Sequence, residues 1–132
     1  MAEIQVNLVA VERELWSGKA QMVVARTVDG DIGVMSGHAP LLIRLAIGAL
    51  RIQDESGAWL VAVVDGGFMH VTSHEDATRV DVLATGAEMA SEVDQQAAET
   101  RAAELQARLA EGDDAAVRTE LAKALARTGL GE

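Results

Sequence analysis

The sequence predicts a β + α protein: an N-terminal antiparallel β-sandwich over residues 1–85, followed by a C-terminal two-helix antiparallel hairpin over residues 86–132. Through the first stretch, apolar and polar residues alternate with period two in short runs separated by turn signals. Beyond Leu83 the composition changes to Ala, Glu, Gln, Leu and Arg, which are good helix formers. Within that second stretch Gly112 falls where one helix would stop and another begin.

The strands follow in order. Ile4, Val6 and Leu8 alternate with Gln5 and Asn7, the pattern of a half-buried strand. Val23 and Val24 sit in the β-branched run QMVVART, and Ile32 and Val34 follow an Asp29-Gly30 turn signal. Leu41 to Ile47 and Leu50 to Gln53 read as two strands with Gly48 between them. Trp59 to Val64 is almost wholly apolar, like a strand buried on both faces, and Gly66-Gly67 reads as a turn into FMHVT. Thr78 to Leu83 closes the series, with Val80 and Val82 alternating with Arg79 and Asp81. Strands spaced about 8 to 12 residues apart predict a sandwich or flattened barrel.

The hairpin reads as follows. Ser91, with Asp94 three residues on, marks a helix start in which the Ser91 hydroxyl accepts from the first free N–H groups. Val93, Ala97, Ala98, Ala102, Leu105 and Leu109 form a narrow apolar stripe. After Gly112, Asp113 or Asp114 caps the second helix, Val117, Leu121 and Leu125 form its stripe, and Gly129 supplies the stop. The stripes hold few large side chains, each contributing about 1.5–3 kcal/mol when fully buried. Ordering each residue costs about 1–2 kcal/mol of backbone entropy. The hairpin is therefore expected to be marginal alone and suited to movement.

Composition excludes several functions. With 132 residues and 49% hydrophobic content the chain can bury a core. No run of 18 apolar residues suggests a transmembrane helix, and the opening MAEIQVNLVAVERELW lacks the regions of a signal or transit peptide, so the protein is expected to stay where it is made. No cysteine is present, which removes disulfides, thiolate metal sites and cysteine nucleophiles. The formal net charge of −10, with Lys and Arg scattered singly, argues against nucleic acid and against direct membrane insertion. Trp16, Trp59 and Phe68 are too few for a stacking platform.

The densest motif is GDIGVMSGHAPLL, residues 30–42, which gathers Gly30, Gly33, Gly37 and the one proline, Pro40. A phosphate loop would lead into a helix with a lysine, and neither follows. One reading is a turn–strand–turn shaped by glycine; the other is a surface loop presenting Asp31 and His38 to a partner. His38, His70 and His74 lack the spacing and acidic partner of a metal site, so none is expected. Ser36 lies outside any nucleophile elbow, and Asp54-Glu55, Glu75-Asp76 and Asp113-Asp114 fall in expected turns, so no catalytic residue is assigned.

At GDIGVMSGHAPLL the chain resembles the epsilon subunit of bacterial F-type ATP synthases. The likeness continues through AIGALRI (46–52), VDGGFMHV (64–71), TRVDVLA (78–84) and two Ala-rich helices ending in ELAKALAR (120–127). The resemblance implies a non-catalytic central-stalk subunit of a proton-translocating ATP synthase, at the cytoplasmic face of the bacterial plasma membrane. Its implied partners are the gamma subunit and the ring of c subunits. It places Gly30, Asp31, Gly33, Ser36, Gly37, His38 and Pro40 at the polar loops of that ring. It makes the hairpin a regulator of ATP hydrolysis, with Arg118, Lys123 and Arg127 available to the catalytic alpha and beta subunits when extended. Glu88, Val93, Asp94 and Ala98 match a motif with which some members bind ATP, so ATP is a candidate effector and no other cofactor is expected. Ala97, however, stands where those members carry an arginine, and alanine makes no charge-assisted bond to phosphate. The alternative reading is an interaction module of sandwich and hairpin without a rotor role; an enzyme or metalloprotein is the remaining class.

Overall fold

A computed structural model describes residues 3–75 and 77–128. It contains the expected β-rich body and helical pair, as two compact units divided between Met89 and Ala90. That division falls beyond the expected boundary at 85/86, because Ala87–Met89 is still sheet.

The first unit is built from β1 (Ile4–Ala10), β2 (Glu14–Thr27), β3 (Gly30–Met35), β4 (Leu41–Asp54), β5 (Trp59–His74), β6 (Ala77–Ala84) and β7 (Ala87–Met89). Neighbouring strands run in the order β1-β6-β5-β4-β2-β3, and β1 also pairs with β2. The path β1-β6-β5-β4-β2 therefore closes on itself, a flattened barrel in which those strands leave no common open edge. Only β1 and β6 run parallel. β3 extends the circuit from β2, in line with β1 on the same edge.

Two expected breaks are not breaks. Gly48 interrupts nothing: β4 runs unbroken from Leu41 to Asp54. Gly66-Gly67 is not a turn, because β5 continues through it from Trp59 to His74. Both glycine positions mark where a long strand bends from one layer of the barrel to the other. β4 keeps one register against β5 on both sides of the bend, with Leu45 opposite Gly67 and Ile47 opposite Asp65. β6 and β7 likewise share one register on β5, joined through Asp65 N–H to Gly86 O (2.8 Å) and Thr85 N–H to Gly66 O (3.0 Å). Gly66 and Gly67 have φ of 90° and 130°, which other residues rarely adopt.

The inward phase of each strand forms the core. Ile4, Val6 and Leu8 meet Val23, Ile52, Met69, Val80 and Val82, all essentially inaccessible. The segment Glu14–Ala20 is also strand, the first half of β2, which the sequence reading passed over. Its small residues hide the alternation: the Trp16 ring lies over Gly18, where a Cβ would come within 2.9 Å of it. Trp59, expected to be buried, is exposed at the start of β5, while Ala62 to Val64 are buried.

The second unit opens with a short 3-10 turn, Ala90–Glu92, then α1 (Gln95–Glu111) and α2 (Ala115–Arg127). Asp94, rather than Ser91, is the first N-cap and accepts from Ala97 N–H at 3.0 Å. Asp114 caps α2, accepting from Ala116 N–H at 2.9 Å and Val117 N–H at 3.4 Å. Both carboxylates also meet the positive end of a helix dipole. The helices meet through Ala102, Leu105 and Ala124, with Val117 and Leu121 packed against them. Ala97 and Leu125, expected on the stripe, are exposed, and Val93 lies before the helix. The expected stop at Gly129 lies outside the described residues, as does Asp76.

Candidate functional site

Residues 30–40 are not a single loop. Gly30 to Met35 form strand β3, and Ser36 to Pro40 form the turn that follows it. Asp31 stands near the start of the strand and His38 in the turn beyond its end. The rise of an extended strand puts about 13 Å between Asp31 and Met35 alone. The two side chains thus mark the two ends of one edge rather than a single point.

At the Asp31 end, Arg26 is the direct cross-strand partner, and its Nε lies 3.2 Å from the carboxylate. The Arg26 stem crosses Gly48, where a Cβ would come within 2.9 Å of it. Gly30 takes a φ of 117°, and its carbonyl accepts from the Thr27 hydroxyl at 2.6 Å, which tightens the β2–β3 turn. Gly33 has open space where a side chain would stand.

The His38 end is pinned more firmly. His38 N–H closes a turn on Met35 O at 3.1 Å, with Gly37 at φ 85°. Gly37 N–H donates to the Thr78 hydroxyl at 2.8 Å, and the Ser73 hydroxyl donates to His38 O at 2.7 Å. His38 Nδ1 lies 2.7 Å from Ala39 O; a carbonyl only accepts, so Nδ1 carries the proton in this contact. Ser36 is half-buried, while Gly37 and Pro40 are exposed.

A second surface was not anticipated. On the outer face of the barrel, Arg44, Phe68, Leu83 and Val9 lie opposite one another across β4, β5, β6 and β1. Phe68 is 49% exposed, Leu83 57% and nearby Val11 80%. They line an open groove of about 430 Å³ together with Val9 and Thr85. The adjacent row is polar from β5 onward, His70, Asp81 and Asn7, with the exposed Leu42 on β4 at its end. There Asp81 accepts from Asn7 at 3.1 Å and from Arg79 at 2.9 Å. Burial pushes the Asp81 carboxyl up, but the bonds from Arg79 and Asn7 and the positive field of Arg79 and His70 outweigh it, leaving the pKa below the ordinary value. The signal was in the sequence: Phe68 shares the outward phase of His70, and Leu83 that of Arg79 and Asp81, so both are apolar residues in a polar phase.

The hairpin residues are engaged locally. Arg118 pairs with Asp113 at 3.0 Å, Lys123 with Glu120 at 3.4 Å, and Arg127 donates to Lys123 O at 2.9 Å. Exposed pairs of this kind hold weakly and can exchange partners. Glu88 lies on β7 in the first unit, whereas Val93, Asp94 and Ala98 belong to the second. Asp94 is occupied as a helix cap. Among the described residues no three metal-ligating side chains gather, and no helix is long and apolar enough to cross a membrane.

The family description "ATP synthase, Delta/Epsilon chain, beta-sandwich domain" matches residues 3–90. The ATP synthase epsilon chain of Streptomyces avermitilis is 47% identical over 117 residues, 89% of each chain. The chain belongs to the ATP synthase epsilon family. The Corynebacterium urealyticum epsilon chain is 50% identical over 105 residues, covering 79% of this chain and 82% of that one. A chain in the cryo-EM structure of the Euglena gracilis mitochondrial ATP synthase, OSCP/F1/c-ring in rotational state 1, is 29% identical with a TM-score of 0.78. That likeness covers 96% of this chain and 77% of the other. An epsilon chain is an accessory, non-catalytic subunit, in keeping with surfaces suited to docking rather than to bond-making.

Proposed function

We propose that this epsilon-family chain couples rotation to ATP synthesis by gripping the foot of the central stalk. The β3 edge and the His38 turn meet the polar loops of the c ring. The Phe68–Leu83–Val11 strip meets an apolar face of the gamma subunit. The observation that carries the reading is the likeness along 96% of the chain to a component of an F1/c-ring assembly. The exposed strip supports it, because contiguous outward apolar residues with a polar row beside them suit a protein interface. The closed circuit of β1, β6, β5, β4 and β2 supports it as well: strands paired on both sides resist sliding past one another.

The hairpin is proposed to regulate ATP hydrolysis by extending toward the catalytic subunits, where Arg118, Lys123 and Arg127 would exchange local pairs for intersubunit ones. A nucleotide effector is not proposed, since Ala97 offers no cation and the Asp94 carboxylate is used by its cap. The coupling reading is tested by replacing Asp31 and His38 together with alanine. ATP-driven ion pumping in reconstituted vesicles should fall relative to ATP hydrolysis while the thermal unfolding midpoint of the chain stays near wild type. Full pumping at unchanged hydrolysis would remove these residues from the contact.

A further inference from the structure

We infer that Ser73 and Thr78 are positioning residues for the docking turn: a relay of two hydroxyls locks the Gly37–His38 backbone to the β5–β6 hairpin. The inference rests on the proposal that this turn is a docking element. Ser73 and Thr78 face each other as a direct cross-strand pair, with hydroxyl oxygens 3.1 Å apart. Each hydroxyl has one proton, and each can be placed. Gly37 N–H donates to Thr78 Oγ1, and Ser73 donates to His38 O. The Ser73 proton is therefore used on His38, so the bond between the two hydroxyls must run from Thr78 to Ser73. The relay is thus Gly37 N–H to Thr78 to Ser73 to His38 O, with one direction and no proton in conflict.

Thr78 is only 3% exposed and, with Thr27, is a polar residue buried in the β body. Its hydroxyl serves neither a sheet ladder nor a helix cap; its protein partners are the turn and Ser73. A buried hydroxyl tied to one turn both directly and through Ser73 makes that turn costly to displace. The relay grips both the donor side and the acceptor side of the Gly37–His38 peptide group's neighbours, so the turn cannot swing about its ends without breaking a bond on one side. His38 is thereby held in one orientation, as a contact that must carry force requires.

The test uses the full chain and the reconstituted complex. Thr78→Val keeps the shape and removes the hydroxyl; Ser73→Ala breaks the relay at a partly exposed site; Thr78→Ser restores the hydroxyl. Two quantities are measured: amide exchange of Gly37 in the purified chain, and ions pumped per ATP hydrolysed in vesicles. Thr78→Val and Ser73→Ala should each speed Gly37 exchange about tenfold, and both should lower the pumping ratio with assembly unchanged. Thr78→Ser should keep both near wild type. If Thr78→Val does not fold, Ser73→Ala carries the test. Unchanged Gly37 exchange would overturn the relay. Faster exchange with an unchanged ratio, where the Asp31/His38 double replacement lowers it, would overturn the positioning role and leave the docking reading standing. An unchanged ratio in the double replacement as well would overturn the docking reading itself.

Discussion

At Gly67 a side chain has nowhere to go. A Cβ there would run into Leu83 O and come within 2.8 Å of Ala84 Cα, at a φ of 130°. Overpacking and left-handed strain each cost about 1–3 kcal/mol, so Gly67→Ala should destabilise the chain by about 2–6 kcal/mol. Gly33→Ala, with open space at its Cβ, should stay within about 0.5 kcal/mol. Urea unfolding midpoints of the two variants check this contrast. Asp81 makes a pH prediction. Its folded pKa lies below the ordinary 3.8, so its contribution to stability is present above that value and lost as pH falls through the folded pKa. The stability gap between wild type and Asp81→Asn should therefore be steady near neutral pH and close in acid below about pH 4, read by thermal unfolding from pH 7 to 3. Residue identities in GDIGVMSGHAPLL pointed to a shaped edge. The Ser73–Thr78 relay did not show, because hydroxyls about 35 to 41 positions from the turn leave no local mark.

At the scale of elements, the hairpin's thin apolar core was legible and its caps only partly so. Ser91 and Asp94 both suit an N-cap, and sequence alone does not say where the backbone turns helical. Asp114→Ala should cost about 1 kcal/mol by stripping the acceptor from Ala116 and Val117 N–H, measured as faster amide exchange in the first turn of α2. Leu105 is the one fully buried large side chain between the helices among the described residues. Leu105→Ala should cost about 2–5 kcal/mol and raise exchange throughout both helices. In the sheet, alternation placed the inward residues of β1 and β6. It failed at Gly48 and Gly66-Gly67, where glycine usually ends a strand and here bends one. Long strands that pass through a bend look, in one dimension, like pairs of short ones.

The whole molecule is a closed β body with two proposed docking surfaces, and a helical pair that holds little core of its own. Removing residues beyond Met89, which spares β7, should alter ATP hydrolysis by the complex more than its assembly; equal loss of both would instead make the helices a structural part. The absence of native cysteine makes the central claim directly measurable. A photo-crosslinker is attached to a single cysteine replacing His38 and, separately, to one replacing Trp59 at the far end of β5. Illumination of coupled membranes should join position 38, but not position 59, to the c subunit. Efficient crosslinking from position 59 with none from position 38 would contradict the claim that the His38 turn is the end of the body that grips the ring.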